Sequence, residues 1–231
     1  MRALLHHIEQ AILPRRCASC GGVLTREEPG WCGPCAFTWS RQSQSSLERF
    51  DGQDWAFGHT WLRMKGPEER RLIHAVKYGG CPELGRRVGR CMARESLAAC
   101  TPWQRESAGP EGWALVPIPL HASRERKRGY NQSHQLALGW ADQTGMDILG
   151  LILRRRAGRS MTRSDRSQRI ARSRQVYGWN PAHTAPIEGL QGLILMDDVV
   201  TTGSTLKSAH TALRTRWNGP IGFIVALDAR R

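Results

Sequence analysis

The segment Leu193-Ile-Leu-Met-Asp-Asp-Val-Val-Thr-Thr-Gly-Ser-Thr-Leu206 constrains this chain more than any other. An apolar run meets two consecutive acids, then a Thr- and Gly-rich turn, then a helical pattern. The opening of a helix leaves backbone N–H groups without intrahelical acceptors, and the helix dipole adds positive potential there. Such a turn is built to hold a phosphate. Gly203 lets the backbone curl close to the anion, and the hydroxyls of Thr201, Thr202, Ser204 and Thr205 add donors. Asp197 and Asp198 follow the apolar run, at the end of a strand where open α/β sheets bind ligands. Carboxylates beside a phosphate cradle suit a sugar phosphate, because they accept hydrogen bonds from ribose hydroxyls. The competing reading is an ordinary strand–turn–helix with capping threonines and solvated aspartates.

The flanking pattern is strand–helix alternation. Strands are expected at 55–64, 113–118, 148–153, 190–196 and 221–227, with helices at 67–76, 83–98, 132–144 and 204–216. A further helix is expected over the first 13 residues, stopped by Pro14. Residues 40–54 read as a polar linker, 101–112 as a loop and 121–130 as a basic loop. Alternation of this kind implies an α/β fold with a parallel sheet flanked by helices. The expected division is an N-terminal helix, a cysteine-dense element and a linker over 1–50, then the α/β domain over 51–231.

Cys17-x-x-Cys20 and Cys32-x-x-Cys35 form two knuckles separated by eleven residues. Four thiolates so spaced can converge on one tetrahedral Zn²⁺, and four protein ligands make the site structural. Two disulfides or a thioredoxin-like redox pair are the alternatives. Disulfides conflict with the seven cysteines, an odd number, in a chain with no signal-type apolar run, which predicts a reducing, cytoplasmic compartment. No stretch approaches membrane-spanning length, so no membrane insertion is expected.

Net charge is +14, and only four of the 34 basic residues are lysines. That field favours anionic partners. Nine arginines crowd residues 154–174 against one acid, Asp165. This run reads either as a mobile loop over pyrophosphate or as a surface for single-stranded nucleic acid, with Tyr177 or Trp179 as stacking partners.

The Asp197–Thr205 string resembles the phosphoribosyl-pyrophosphate (PRPP) motif of type I phosphoribosyltransferases. Together with Lys77-Tyr-Gly-Gly80, Val116-Pro-Ile-Pro-Leu-His121, Arg128-Gly-Tyr-Asn-Gln132 and the four-cysteine element, in this order, it resembles the ComF family, named for bacterial competence. The resemblance implies a type I phosphoribosyltransferase fold and transfer of a phosphoribosyl group. It makes Asp197 and Asp198 the catalytic pair on the ribose 2′ and 3′ hydroxyls. Thr201, Thr202, Gly203, Ser204 and Thr205 would hold the 5′-phosphate. The Val116–Leu120 loop, with Pro117, would meet pyrophosphate. Lys77 and Arg128 would supply positive charge, with Mg²⁺ on the leaving group. Between 160 and 180 the chain departs from the family, with Gln168 present but Gln175 where the family has Asn. The resemblance also implies a role in DNA uptake, with single-stranded DNA and other DNA-uptake proteins as partners. A non-catalytic competence factor that binds single-stranded DNA and keeps the pocket is the alternative, and a docking module with no chemistry is a third.

Overall fold

The computed structural model describes residues 15–25, 27–28, 30–39, 44–45, 53–99, 112–154 and 176–230. The expected N-terminal helix, most of the 40–54 linker, nearly all of the 101–112 loop, the Arg-rich run beyond Arg154, Gln168 and Gln175 lie outside them.

The elements in chain order are α1 (Gly33–Trp39), β1 (Gln44–Ser45), β2 (Gly58–Arg63), α2 (Pro67–Tyr78), α3 (Pro82–Ala99), β3 (Trp113–Pro117), α4 (Ala122–Arg128), α5 (Gln132–Thr144), β4 (Asp147–Ile148), β5 (Ile152–Arg154), β6 (Tyr177–Trp179), β7 (Gly192–Val200), α6 (Ser204–Leu213) and β8 (Ile221–Asp228). Six strands form one sheet in the order β1-β2-β8-β7-β3-β4. Every pairing in it is parallel except β1 with β2. The antiparallel β5–β6 ribbon stands apart.

The sheet is covered on both faces, and the central strand β7 shows why. Ile194 and Met196 pack with Leu72 and Val76 of α2, Val88 and Met92 of α3, and Leu136 and Trp140 of α5. Leu193 and Leu195 pack the other way, with Leu206 and Leu213 of α6 and with Ile152 and Tyr177 of the ribbon. Period-2 alternation on a strand buried on both faces gives a continuous apolar run, as the sequence has there.

Helix starts follow local chemistry. Pro67 occupies the first turn of α2, and the Glu69 side chain accepts the Gly66 amide at 2.9 Å. Asn131 caps α5 by accepting the Ser133 amide at 3.1 Å. Helices α3 and α5 approach through glycine: a Cβ on Gly139 would lie 1.8 Å from the Arg86 carbonyl oxygen, and one on Gly89 2.1 Å from that of Leu136. Asp142 on α5 then takes Arg86 at 2.6 and 2.7 Å and Arg90 at 2.8 Å.

Two expectations are corrected. The basic stretch 121–130 holds a helix, α4. None of its residues is buried, so no apolar periodicity marks it. Its ends hold it instead: His121 Nδ1 accepts the Ser123 amide, and Gly129 closes the C-terminus in the left-handed region. The single strand expected over 148–153 is two. Residues 147–148 add to the main sheet, while 152–154 turn away to pair with β6.

The cysteine element packs onto the sheet domain. Trp31, Trp39 and Trp61 form a ladder with ring centroids 5.9 and 5.7 Å apart, and Trp61 Nε1 donates to Glu95 on α3 at 2.6 Å. Among the described residues no helix is long and apolar enough to cross a membrane.

Candidate functional site

Topology puts the candidate site where α/β sheets bind ligands. From β3 the chain continues to the neighbouring β4 on one side, whereas from β7 it continues to β8 on the other. The connections therefore diverge between β3 and β7, which opens a crevice at their carboxyl ends. Pro117 ends β3 opposite Met196, so the next two residues of β7, Asp197 and Asp198, stand at the mouth of that crevice. The strand expected to stop at Met196 runs on to Val200, so Asp197 and Asp198 are its sixth and seventh residues.

Both carboxylates are buried, and each already holds a partner. Asp197 Oδ1 accepts the Ser133 hydroxyl at 2.9 Å and the Asp198 amide at 2.9 Å. Asp198 Oδ2 pairs with Lys77 Nζ at 3.1 Å. Burial, then the adjacent Asp198 charge, push the Asp197 carboxyl up to about 7 against the donors that favour its charged form. Burial also raises Asp198, opposed by the Lys77 and Arg128 charges. Burial and, for Asp197, the charge beside it thus push both acids upward at one strand end, a combination enriched where proteins do chemistry.

Beyond Val200 the chain turns through Thr201 and Thr202, both exposed, to Gly203, which opens α6 with φ +74°. That left-handed conformation is where glycine is favoured. The Ser204 amide reaches only the Thr202 hydroxyl, at 3.4 Å. The amides of Thr205 and Leu206 find no acceptor among the described residues, as expected at a free helix start. Thr201, Thr202 and Ser204 are exposed there, and the Thr202 hydroxyl donates to that of Ser204 at 3.0 Å.

The structure therefore brings Asp197, Asp198, the 201–205 turn, Lys77 and Pro117 to one end of the sheet. Arg128 joins them from the end of α4. Its guanidinium lies 4.8 Å over the Tyr78 ring and donates to the Gln132 side chain. Sequence reasoning missed Ser133. Its position directly after Arg128-Gly-Tyr-Asn-Gln132 was the available signal. Tyr177 is buried and closed to stacking on a base. Trp179 is half-buried and walls a groove of about 760 Å³ with His183, Thr215 and Arg216, away from the acid pair.

The Sγ atoms of Cys17, Cys20, Cys32 and Cys35 all lie within 4.8 Å of one another. Cys17 and Cys35 are 3.9 Å apart and Cys20 and Cys32 3.7 Å, too far for disulfides at about 2.05 Å. Tetrahedral ligands about 2.3 Å from one ion would be about 3.8 Å apart, so the cluster fits Zn²⁺. Burial works against the Cys17 thiolate, but the amides of Cys20 and Cys32 outweigh it and bring the thiol down to about 6. Burial pushes the Cys35 thiol up to about 12. A cation among them would favour the thiolate form of all four.

No family model matches the chain. It is similar to the DNA utilization protein YhgH of Salmonella typhi, 30% identical over 143 residues, which cover 58% of this chain and 56% of that protein. Competence protein F of Haemophilus influenzae is 31% identical over 106 residues, 44% of each chain. Competence protein ComFC of Bacillus subtilis is 34% identical over 101 residues, 44% of this chain and 38% of the other. The chain thus matches about half the length of these relatives. A solved allosteric regulatory enzyme of purine biosynthesis aligns with 67% of this chain and 30% of its own, at 16% identity and a TM-score of 0.39.

Proposed function

Taking the chain as the ComF-family protein that its relatives support, we propose that it binds PRPP, or a related ribose phosphate, at the carboxyl end of β7 and transfers the phosphoribosyl group. The observation that carries this reading is the continuity of β7, with its buried acid pair, into a glycine-opened helix start where the Thr205 and Leu206 amides lack acceptors among the described residues. The turn over Thr201–Thr205 holds the 5′-phosphate. Asp197 and Asp198 accept hydrogen bonds from the ribose hydroxyls. Lys77 and Arg128 face the pyrophosphate side, where Pro117 ends β3.

In the transfer, the acceptor's electron pair forms the new bond to ribose C1 while the C1–O bond breaks, and pyrophosphate leaves with that bond's electrons. Positive charge grows on the sugar ring beside the two carboxylates, and fixed charge in a partly dry site stabilises it. Positioning supplies the rest. A bound Mg²⁺ would supply the charge that neutralises the leaving pyrophosphate. Because Ser133 and Lys77 already occupy one oxygen of each acid, phosphate oxygens and water suit that ion as its main ligands.

Calorimetry with Mg²⁺ and PRPP tests the reading: the unaltered chain binds, and Asp197→Asn and Asp198→Asn each weaken binding. A chain that does not bind, or binding indifferent to both substitutions, overturns it. The relatives' names, DNA utilization and competence proteins, support reading this pocket as one that serves DNA uptake.

A second reading, single-stranded DNA binding without catalysis, is favoured by the net charge of +14 and by the groove that Trp179 and Arg216 both line. Anisotropy of an oligo-dT across a salt series decides it. Affinity that falls steeply with log salt and drops in Trp179→Ala supports it, and affinity without a salt slope rejects it.

A further inference from the structure

We propose that Asn131, Gln132 and Ser133 are the positioning residues of this site, and that Ser133, by fixing one oxygen of Asp197, sets its preference for a ribose over a 2-deoxyribose phosphate. This rests on the ribose-phosphate reading and adds the residue that aims the carboxylate.

Three consecutive residues at the start of α5 each hold a different neighbour. Asn131 Nδ2 donates to the Ile118 carbonyl at 3.0 Å, just past the end of β3. Gln132 Oε1 accepts from Arg128 at the end of α4. Ser133 Oγ donates to Asp197 on β7 at 2.9 Å. Capping a helix needs Asn131 alone. Gln132 and Ser133 instead spend their side chains on groups that line the crevice.

Ser133 has no solvent exposure, so its hydroxyl has no water to exchange with. Asp197 Oδ1 takes both this hydroxyl and the Asp198 amide, while Oδ2 finds no donor among the described residues. The carboxylate therefore cannot turn part-way without leaving two buried donors unmet, and in either equivalent flip it presents one oxygen alone. A single fixed acceptor registers whether one ring position carries a hydroxyl or a hydrogen. A carboxylate free to turn offers either oxygen and discriminates less. Sites that bury a partner for a substrate hydroxyl reject the analogue lacking it for this reason.

The test compares the unaltered chain with Ser133→Ala and Ser133→Thr, titrating ribose 5-phosphate and 2-deoxyribose 5-phosphate by calorimetry. In the ligand-free chain, carboxyl NMR follows the titration of Asp197, which also faces Asp198, Lys77 and Tyr177. Ser133→Ala is expected to weaken ribose 5-phosphate binding about tenfold, the worth of one hydrogen bond to a charged group, and to shrink the ribose preference. Asp197 then titrates at higher pH, because its charged form has lost a donor. Ser133→Thr keeps the hydroxyl and restores both readouts. A ribose preference that survives Ser133→Ala overturns the specificity role. An Asp197 titration unmoved by that change overturns the positioning role. If the unaltered chain binds neither sugar phosphate, the ribose-phosphate reading and the specificity role fall together, and the NMR titration still decides whether Ser133 holds Asp197.

Discussion

Asp197→Asn should make the protein more stable while weakening its proposed ligand binding, and the gain should depend on pH. An unperturbed aspartate titrates near 3.8, and burial beside Asp198 pushes Asp197 up to about 7. Below pH 4 the folded and unfolded chains both hold the proton. Between pH 4 and 7 the folded chain keeps a proton that the unfolded chain has lost, so the fold weakens as pH rises. Above pH 7 the carboxylate is ionised in both states and the full cost is present. Carried by Asp197 alone, that cost is about 4 kcal/mol, from 1.36 kcal/mol per pH unit. Asp198 shares the charge, so about 2 kcal/mol is the working figure. Asparagine has the shape of the acid, and its carbonyl oxygen can accept the Ser133 hydroxyl and the Asp198 amide as Oδ1 does. Urea unfolding followed by tryptophan fluorescence at pH 5 and pH 8 measures the difference between the two chains. The expected result is an Asn variant more stable at pH 8, by a margin that shrinks at pH 5. A variant less stable at pH 8, or a margin equal at both values, refutes the claim that this carboxylate is held against its own stability.

Zinc is expected at one ion per chain by atomic absorption, and a strong chelator should lower the melting temperature. A metal-free chain indifferent to chelator removes the zinc assignment of Cys17, Cys20, Cys32 and Cys35. Gly139→Ala should destabilise by about 2 kcal/mol in urea unfolding. Its Cβ would sit 1.8 Å from a backbone oxygen, and forcing the helices apart costs more than the roughly 1 kcal/mol gained in helix propensity. A neutral or stabilising result would mean that α3 and α5 do not approach as closely as described.

Arrangements confined to one short segment were legible from the residues alone. The apolar run, acid pair and Thr-Gly turn needed no distant contact to be read as strand, acids and helix start, because each depends on neighbours within a few positions. The cysteine knuckles were equally local. Four of the sheet strands and four of the helices follow from period-2 and period-3.6 patterning. Helix α4 escaped that reading because it buries nothing, and patterning detects only elements with a buried face. Strands β4 and β5 merged because a run of apolar residues does not record which sheet each half joins. Tertiary structure alone decided that Ser133 reaches Asp197 across 64 positions and that Lys77 reaches Asp198. It also decided that Tyr177 is enclosed and that the connections diverge between β3 and β7. These facts depend on how the strands are ordered in the sheet, and strand order is set by the packing of the whole core rather than by any segment within it.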